Sequence, residues 1–157
     1  YEGIWKHGDF VKISERGTGV IQGRSDATLN PGGVRIGTSE IYRQVESMDE
    51  VEDSLAIGVK NQGDDQVILF VKLRDGHVFG EQLGEKIKKQ IRRHVSPRHV
   101  PAKVVSIKEI PYTVSGKKVE IAVAKILRGE RVENRNALKN PKCLDEFEDL
   151  VSQGSLP

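Results

Sequence analysis

The stretch that most limits the fold is Val67-Ile68-Leu69-Phe70-Val71, the longest uninterrupted apolar run in the chain. It is far shorter than the roughly 20 residues a membrane-crossing helix needs, and polar, turn-forming residues bound it, so it reads as a strand. A second strand, Leu55-Ala56-Ile57-Gly58-Val59, precedes it across the turn-rich Asn61-Gln62-Gly63-Asp64-Asp65, and the two are expected to pair antiparallel. An acidic connection leads into this pair. The clearest helix of the chain follows, with Leu83, Ile87, Ile91 and Val95 at four-residue intervals and a stop at Ser96-Pro97. Val104, Val105 and Ile107 then form a third strand.

The flanking segments carry the same punctuation. Phe10, Val11 and Ile13 precede the turn Glu15-Arg16-Gly17-Thr18-Gly19, and Val20-Ile21 completes a hairpin. The turn Asn30-Pro31-Gly32-Gly33 leads into Val34-Arg35-Ile36, after which Thr38 or Ser39 can cap a helix striped by Ile41, Val45 and Met48. Ile110 to Gly116 is a loop running into a helix with Val119, Ala122, Val123 and Ile126 on one side. Leu144, Phe147, Leu150 and Val151 mark a final amphipathic helix. Strands interleaved with helices in 157 residues imply a compact α+β fold, a small sheet with helices packed on it.

Charge and cysteine content exclude several classes. Hydrophobic residues at 36% and charged residues at 31% describe an ordinary globular chain rather than a disordered or collagen-like one. The net charge of +2 hides a basic stretch, because Gln82 to Lys108 carries eight Lys and Arg against the single acid Glu85. That stretch should attract anions, and it leaves a nucleic-acid-binding module as one alternative. Few aromatics are available for stacking on bases, and a charge run is usually a solvated face. Cys143 stands alone and cannot form an intrachain disulfide, which suits a reducing, cytoplasmic compartment. His7, His77, His94 and His99 show no metal-ligand spacing beyond an i, i+5 pair expected on different helix faces, so no metal site is expected.

Four clusters remain that carry chemistry. Asp9, after Gly8, can offer two acceptor oxygens to a vicinal diol such as a ribose. Arg24, in Gly23-Arg24-Ser25-Asp26, adds a planar donor fork, and Arg35 a second cation for phosphate oxygens. Gly32 and Gly33 permit positive φ or close approach of the backbone to a ligand. Lys117, in Ser115-Gly116-Lys117-Lys118 on a flexible loop, can bring a point charge to a phosphate or carboxylate. Each cluster alone is also what an ordinary turn or an exposed lysine looks like.

Their order and spacing resemble the acyl-CoA synthetases, which share a fold with nonribosomal peptide adenylation domains and firefly luciferase. The resemblance rests on Gly8-Asp9, Gly23-Arg24-Ser25-Asp26, Gly33-Val34-Arg35-Ile36 with Glu40-Ile41, and Pro111-Tyr112-Thr113-Val114-Ser115-Gly116-Lys117. It implies that residues 1–24 end a large N-terminal adenylation domain missing from this chain. Residues 25–27 would then be a hinge, and 28–157 a C-terminal lid with a helical extension. It implies a ligase that turns a carboxylate and ATP, brought in with Mg2+, into acyl-AMP and then transfers the acyl group to CoA. Asp9, Arg24 and Arg35 would bind ATP, Asp26 would be the hinge, Lys117 the catalytic cation, and Gly33 and Arg92 would meet CoA. The strings GGVRIGTSEIYRQVE, SPRHVPAKV, IPYTVSGKKVEIAVAKI and ENRNALKNP look like the branch that takes acetoacetate. Another short-chain acid, or a lid-like module without catalysis, are the alternatives. The family usually places Ile or Val directly after the lysine; here Lys118 stands there, and the Ser-Gly-Lys register selects Lys117. No partner nucleic acid or membrane is implied, and the segment alone is expected to be inactive.

Overall fold

The computed structural model describes residues 8–24, 29–61 and 64–156, together with Gly3; within these, the side chains of 9, 10, 22–24, 61 and 64 are outside the description. Asp26, the expected hinge, and His7 also lie outside the described residues.

Asp9–Ile13 (β1) and Gly19–Arg24 (β2) pair antiparallel as the turn signals require, with a register shift between Phe10 and Val11. A short 3-10 helix at Pro31–Gly33 leads to helix α1, Thr38–Val45. Neither Thr38 nor Ser39 caps that helix. The cap position is Gly37, which makes no side-chain cap bond, and Thr38 is buried within the first turn. Met48 lies past the helix end, yet it still joins the core.

A three-stranded sheet occupies the centre, in the order β3 (Val51–Asn61), β4 (Asp64–Leu73), β5 (Lys103–Ser106). β3 and β4 are antiparallel, as expected; β5 runs parallel to β4, and helix α2, Glu81–His94, lies between them in the chain. The central position of β4 explains its continuous apolar run, because a middle strand covered on both faces has no polar side to present. Its Ile68 and Phe70 join Leu55, Ile57 and Val59 on one face, while Val67, Leu69 and Val71 join Ala56 on the other, the alternation a pleated strand dictates.

Helices cover both faces. α1 contributes Ile41 and Val45, and α2 contributes Ile87 and Ile91, to one core. Helix α3 (Glu120–Leu127) and helix α4 (Cys143–Ser152) supply Val123, Ile126, Leu144 and Phe147 to the other. There Phe70 and Phe147 meet edge to face with centroids 4.9 Å apart, a geometry worth about 1 kcal/mol beyond area burial.

The acidic segment before Leu55 is a connection only in part, since Asp49 and Glu50 are turn. Val51 to Ser54 already belong to β3, and pairing jumps from Val51 opposite Leu73 to Asp53 opposite Lys72. The extra residue, Glu52, is a bulge. It reverses the alternation, so that Val51 is buried with α1 and α2 while Asp53 falls in step with Leu55 and Ile57 on the α3 and α4 face.

Candidate active site on the Lys117 turn

Pro111 to Val119 folds as a tight hairpin rather than a flexible loop. The Thr113 amide donates to Lys117 O at 2.8 Å, the Gly116 amide to Thr113 O at 2.9 Å, and the Val119 amide to Pro111 O at 3.1 Å. Gly116 adopts φ 80, a left-handed value that favours glycine and allows the chain to reverse here. Thr113 Oγ1 accepts from the Lys117 amide at 3.0 Å, so the residue that carries the candidate ammonium is bonded through both its N–H and its C=O. The outer flank is tied down as well, because the Lys139 amide donates to Tyr112 O at 2.8 Å and Asn140 bonds the Tyr112 amide and Ile110 O. At the tip, the Lys117 side chain is exposed. A cleft of about 240 Å³ opens beside the turn, lined among others by Thr113, Val119, Ile121, Ala122 and Leu138.

Lys118 is disposed in the opposite way. Its side chain is only 16% exposed, and its Nζ lies 2.5 Å from Glu46 Oε1, 2.7 Å from Asp53 Oδ1 and 2.7 Å from Ser54 O. The same ammonium sits 4.1 Å from the centroid of the Tyr42 ring. Three oxygens use the three N–H donors of an ammonium, which leaves no donor for a ligand. Of the two adjacent lysines, Lys117 is the exposed one, while the Lys118 ammonium is held by protein oxygens.

The pocket that receives Lys118 is a continuous polar network. Tyr112 Oη donates to Asp53 Oδ2 at 2.7 Å, Ser54 Oγ to Glu46 Oε1 at 2.8 Å, and Tyr42 Oη to Glu120 Oε1 at 3.0 Å while accepting from the Ala56 amide. Burial, with Glu120 beside it, pushes the Tyr42 phenol well above its usual range. Burial and the bond to Asp53 do the same for Tyr112. Both phenols therefore remain hydrogen-bond donors at neutral pH. None of Glu46, Asp53, Tyr42 or Glu120 was expected from the sequence to matter; the signal that could have found them is the charged Lys118 at an apolar position of the motif.

The glycine turn stands on the other face of the sheet. Gly32 and Gly33 have φ 59 and 74, and Leu29 and Ile36 close the turn through paired backbone bonds of 3.2 and 2.9 Å. A Cβ on Gly33 would meet nothing within 4 Å, so positive φ, not crowding inside the chain, sets the need for glycine there. A Cβ on Gly32 would lie 3.5 Å from Arg98 Nη1, which shows the turn resting on the segment after α2. His99 belongs to that segment, in the 3-10 turn Pro97–His99, beyond the end of α2. It is buried, with Nδ1 2.8 Å from Ser96 Oγ and Nε2 2.8 Å from Glu40 Oε2 of α1.

The remaining expected residues are distributed as follows. Asp9 and Arg24 are directly opposite in the β1–β2 register, so the hairpin brings these two candidates together at the backbone level. Arg35 is exposed just after the glycine turn, and Arg92 is exposed on α2, in the layer that also carries Gly33. The basic stretch is partly neutralised, since Lys86 pairs with Glu50 and Lys88 with Glu85 at 3.1 Å, while Lys103 donates to the backbone oxygen of Ser155. Among the described residues no cluster of His, Cys, Asp and Glu could hold a metal, and no helix is long and apolar enough to cross a membrane.

A sheet with the Lys117 turn on one side and the glycine turn on the other is thus in place, and the chain has relatives. Residues 41–117 match the AMP-binding enzyme C-terminal domain, a match that ends on Lys117 itself. The chain carries an AMP-binding enzyme C-terminal domain. It is 53% identical over 150 residues to the acetoacetyl-coenzyme A synthetase of Rhizobium meliloti (strain 1021), covering 96% of this chain and 23% of that protein. It is 47% identical over 152 residues to the acetoacetyl-CoA synthetase of Rattus norvegicus, with the same two coverages. The solved acetoacetyl-CoA synthetase from Streptomyces lividans superposes with a TM-score of 0.88 at 38% identity, over 98% of this chain and 23% of that one. The chain thus spans about a quarter of the length of these relatives, and its α+β architecture is that of their C-terminal part.

Proposed function

We propose that the chain is the lid of an AMP-forming acetoacetate–CoA ligase. The acetoacetate carboxylate attacks the α-phosphate of ATP, which arrives with Mg2+, giving acetoacetyl-AMP and pyrophosphate. The CoA thiol then attacks the acyl carbon and AMP leaves. The observation that carries this reading is the presentation of Lys117 alone at the tip of a tied turn, with its neighbour Lys118 fully occupied. A single fixed ammonium is what a phosphoryl or adenylyl transfer uses to stabilise charge that develops on oxygen.

In this reading Asp9 and Arg24, paired across the hairpin, hold the ribose hydroxyls, and Arg35 contacts phosphate. Residues 1–24 complete the large N-terminal domain, 25–27 are the hinge centred on Asp26, and 28–157 are the lid. After adenylation the lid turns, withdrawing Lys117 and bringing the Gly33 turn to the pantetheine arm, with Arg92 near a CoA phosphate. The placement of the two turns on opposite faces of the sheet supports a rotating lid, because one rigid body then offers each face in sequence. Use of acetoacetate ties the enzyme to ketone-body metabolism, and the lone Cys143 agrees with a cytoplasmic setting. The test is pyrophosphate release by the full-length enzyme with ATP and acetoacetate, against acetate and butyrate. Acetoacetate is expected to give the highest kcat/KM, and a clear preference for another acid would overturn the substrate assignment.

A further inference from the structure

The turn that carries Lys117 has two limbs, and Tyr112 and Lys118 face each other across its base as bridge partners. One carboxylate holds both. Asp53 Oδ2 accepts from Tyr112 Oη at 2.7 Å, and Asp53 Oδ1 lies 2.7 Å from Lys118 Nζ. The same Oδ1 accepts from the Ser54 amide at 2.8 Å, which fixes the carboxylate's own orientation on β3. Regular alternation from Asp53 through Leu55 and Ile57 puts Asp53 on this face, and the Glu52 bulge before it turns Val51 to the opposite one. Glu46 and Ser54 O then secure the far side of the Lys118 ammonium.

We propose that Asp53 is a positioning residue for adenylation, a clamp that joins both limbs of the turn to β3 and thereby sets where the Lys117 ammonium stands. The inference rests on the ligase reading above. Stability alone gives a weak reason for this arrangement, since a partly buried ion pair contributes little net folding energy compared with apolar packing. Catalysis gives a stronger one. Lysine has a long, freely rotating stem, and displacement of a reacting or stabilising group by about 1 Å costs on the order of 10²-fold in rate. The turn fixes the Lys117 backbone through Thr113, and the clamp fixes the turn to the sheet.

The test uses the full-length enzyme with Asp53→Asn, Lys117→Ala and the double variant, and reads two half-reactions: pyrophosphate release, and thioester formation from supplied acetoacetyl-AMP. Asp53→Asn is expected to lower kcat for pyrophosphate release about tenfold, with KM for ATP and thioester formation changed by less than about twofold. In the Lys117→Ala background the same substitution should add less than about twofold, because Asp53 acts through Lys117. Tyr112→Phe removes one limb's bond without altering charge and should give about a threefold loss with the same selectivity; it carries the test if Asp53→Asn fails to fold. Equal slowing of both half-reactions, or an undiminished effect of Asp53→Asn in the Lys117→Ala enzyme, would overturn the clamp. If Lys117→Ala is impaired and the Asp53 and Tyr112 variants are not, the clamp fails alone. If Lys117→Ala adenylates normally, the ligase reading of Lys117 fails and the clamp with it.

Discussion

The Lys117 turn and the Gly33 turn both depend on glycine at positive φ, yet they are secured by opposite means. Around Lys117 the restraints are charged and directional: Asp53 and Glu46 on Lys118, Asp53 on Tyr112, Thr113 on the Lys117 amide. Around Gly33 they are a two-bond backbone bridge and the buried pegs Leu29 and Ile36, with His99 supporting the segment beneath. A turn that must aim one side chain needs bonds with direction. A turn that offers only bare backbone needs its ends buried and its tip left open, and the space over Gly33 is open.

The sharpest way to break this comparison is to test the half-reaction proposed for each turn. Lys117→Ala in the full-length enzyme should slow pyrophosphate release by on the order of 10²-fold, comparable to removing one preorganised electrostatic group, with thioester formation from supplied acetoacetyl-AMP retained. Gly33→Leu should do the reverse. It is expected to slow thioester formation about tenfold while pyrophosphate release continues and acyl-AMP accumulates. Because a Cβ there meets nothing within the chain, its folding cost is confined to the strained φ, about 1–2 kcal/mol, and the lid should still fold. Loss of the same half-reaction in both variants would refute a division of labour between the two turns.

A smaller effect tests the support of the glycine turn. His99→Phe deletes two 2.8 Å bonds and leaves Ser96 and Glu40 without their partner. Glu40 is about half exposed and can turn to water, so the expected loss is about 1–2 kcal/mol in urea unfolding of this chain. A loss below about 0.5 kcal/mol would mean that the glycine turn stands on apolar packing alone.

Much of this was legible in the sequence, and the misses share a cause. The hairpin, α2 and the β3–β4 pair follow from period and turn residues, and the unbroken apolar run of β4 announced a strand that proved to be central. The acidic stretch before Leu55 reads as a connection because charge normally marks solvent. Part of it is strand, since Glu52 pairs with Lys72 and Asp53 with Lys118, partners 20 and 65 positions away that no local pattern reveals. The bond between His99 and Glu40 of α1 is likewise between residues 59 positions apart, beyond any local pattern. Of the candidate site, Lys117 and the glycine turn stand out in the sequence through motif order, while Asp53 and Glu46, which decide where Lys118 goes, emerge only from tertiary contact.

The smallest effect concerns whether the two turns are independent. They lie on opposite faces of the sheet, but α1 touches both, since Glu40 in its first turn holds His99 and Glu46 at its C-terminal cap holds Lys118. Lys118→Met should cost about 2 kcal/mol by leaving Glu46 and Asp53 without their cation, less than a fully buried pair because all three side chains keep some exposure to water. If α1 is only a shared wall, the double variant His99→Phe, Lys118→Met should equal the sum of the single losses within about 0.5 kcal/mol. Additivity is the expected outcome, because the two sites share no side-chain partner and the apolar anchors Ile41 and Val45 fix the helix between them. Coupling above about 1 kcal/mol in urea unfolding would show instead that α1 transmits strain from one turn to the other, and the lid would then have linked faces rather than separate ones.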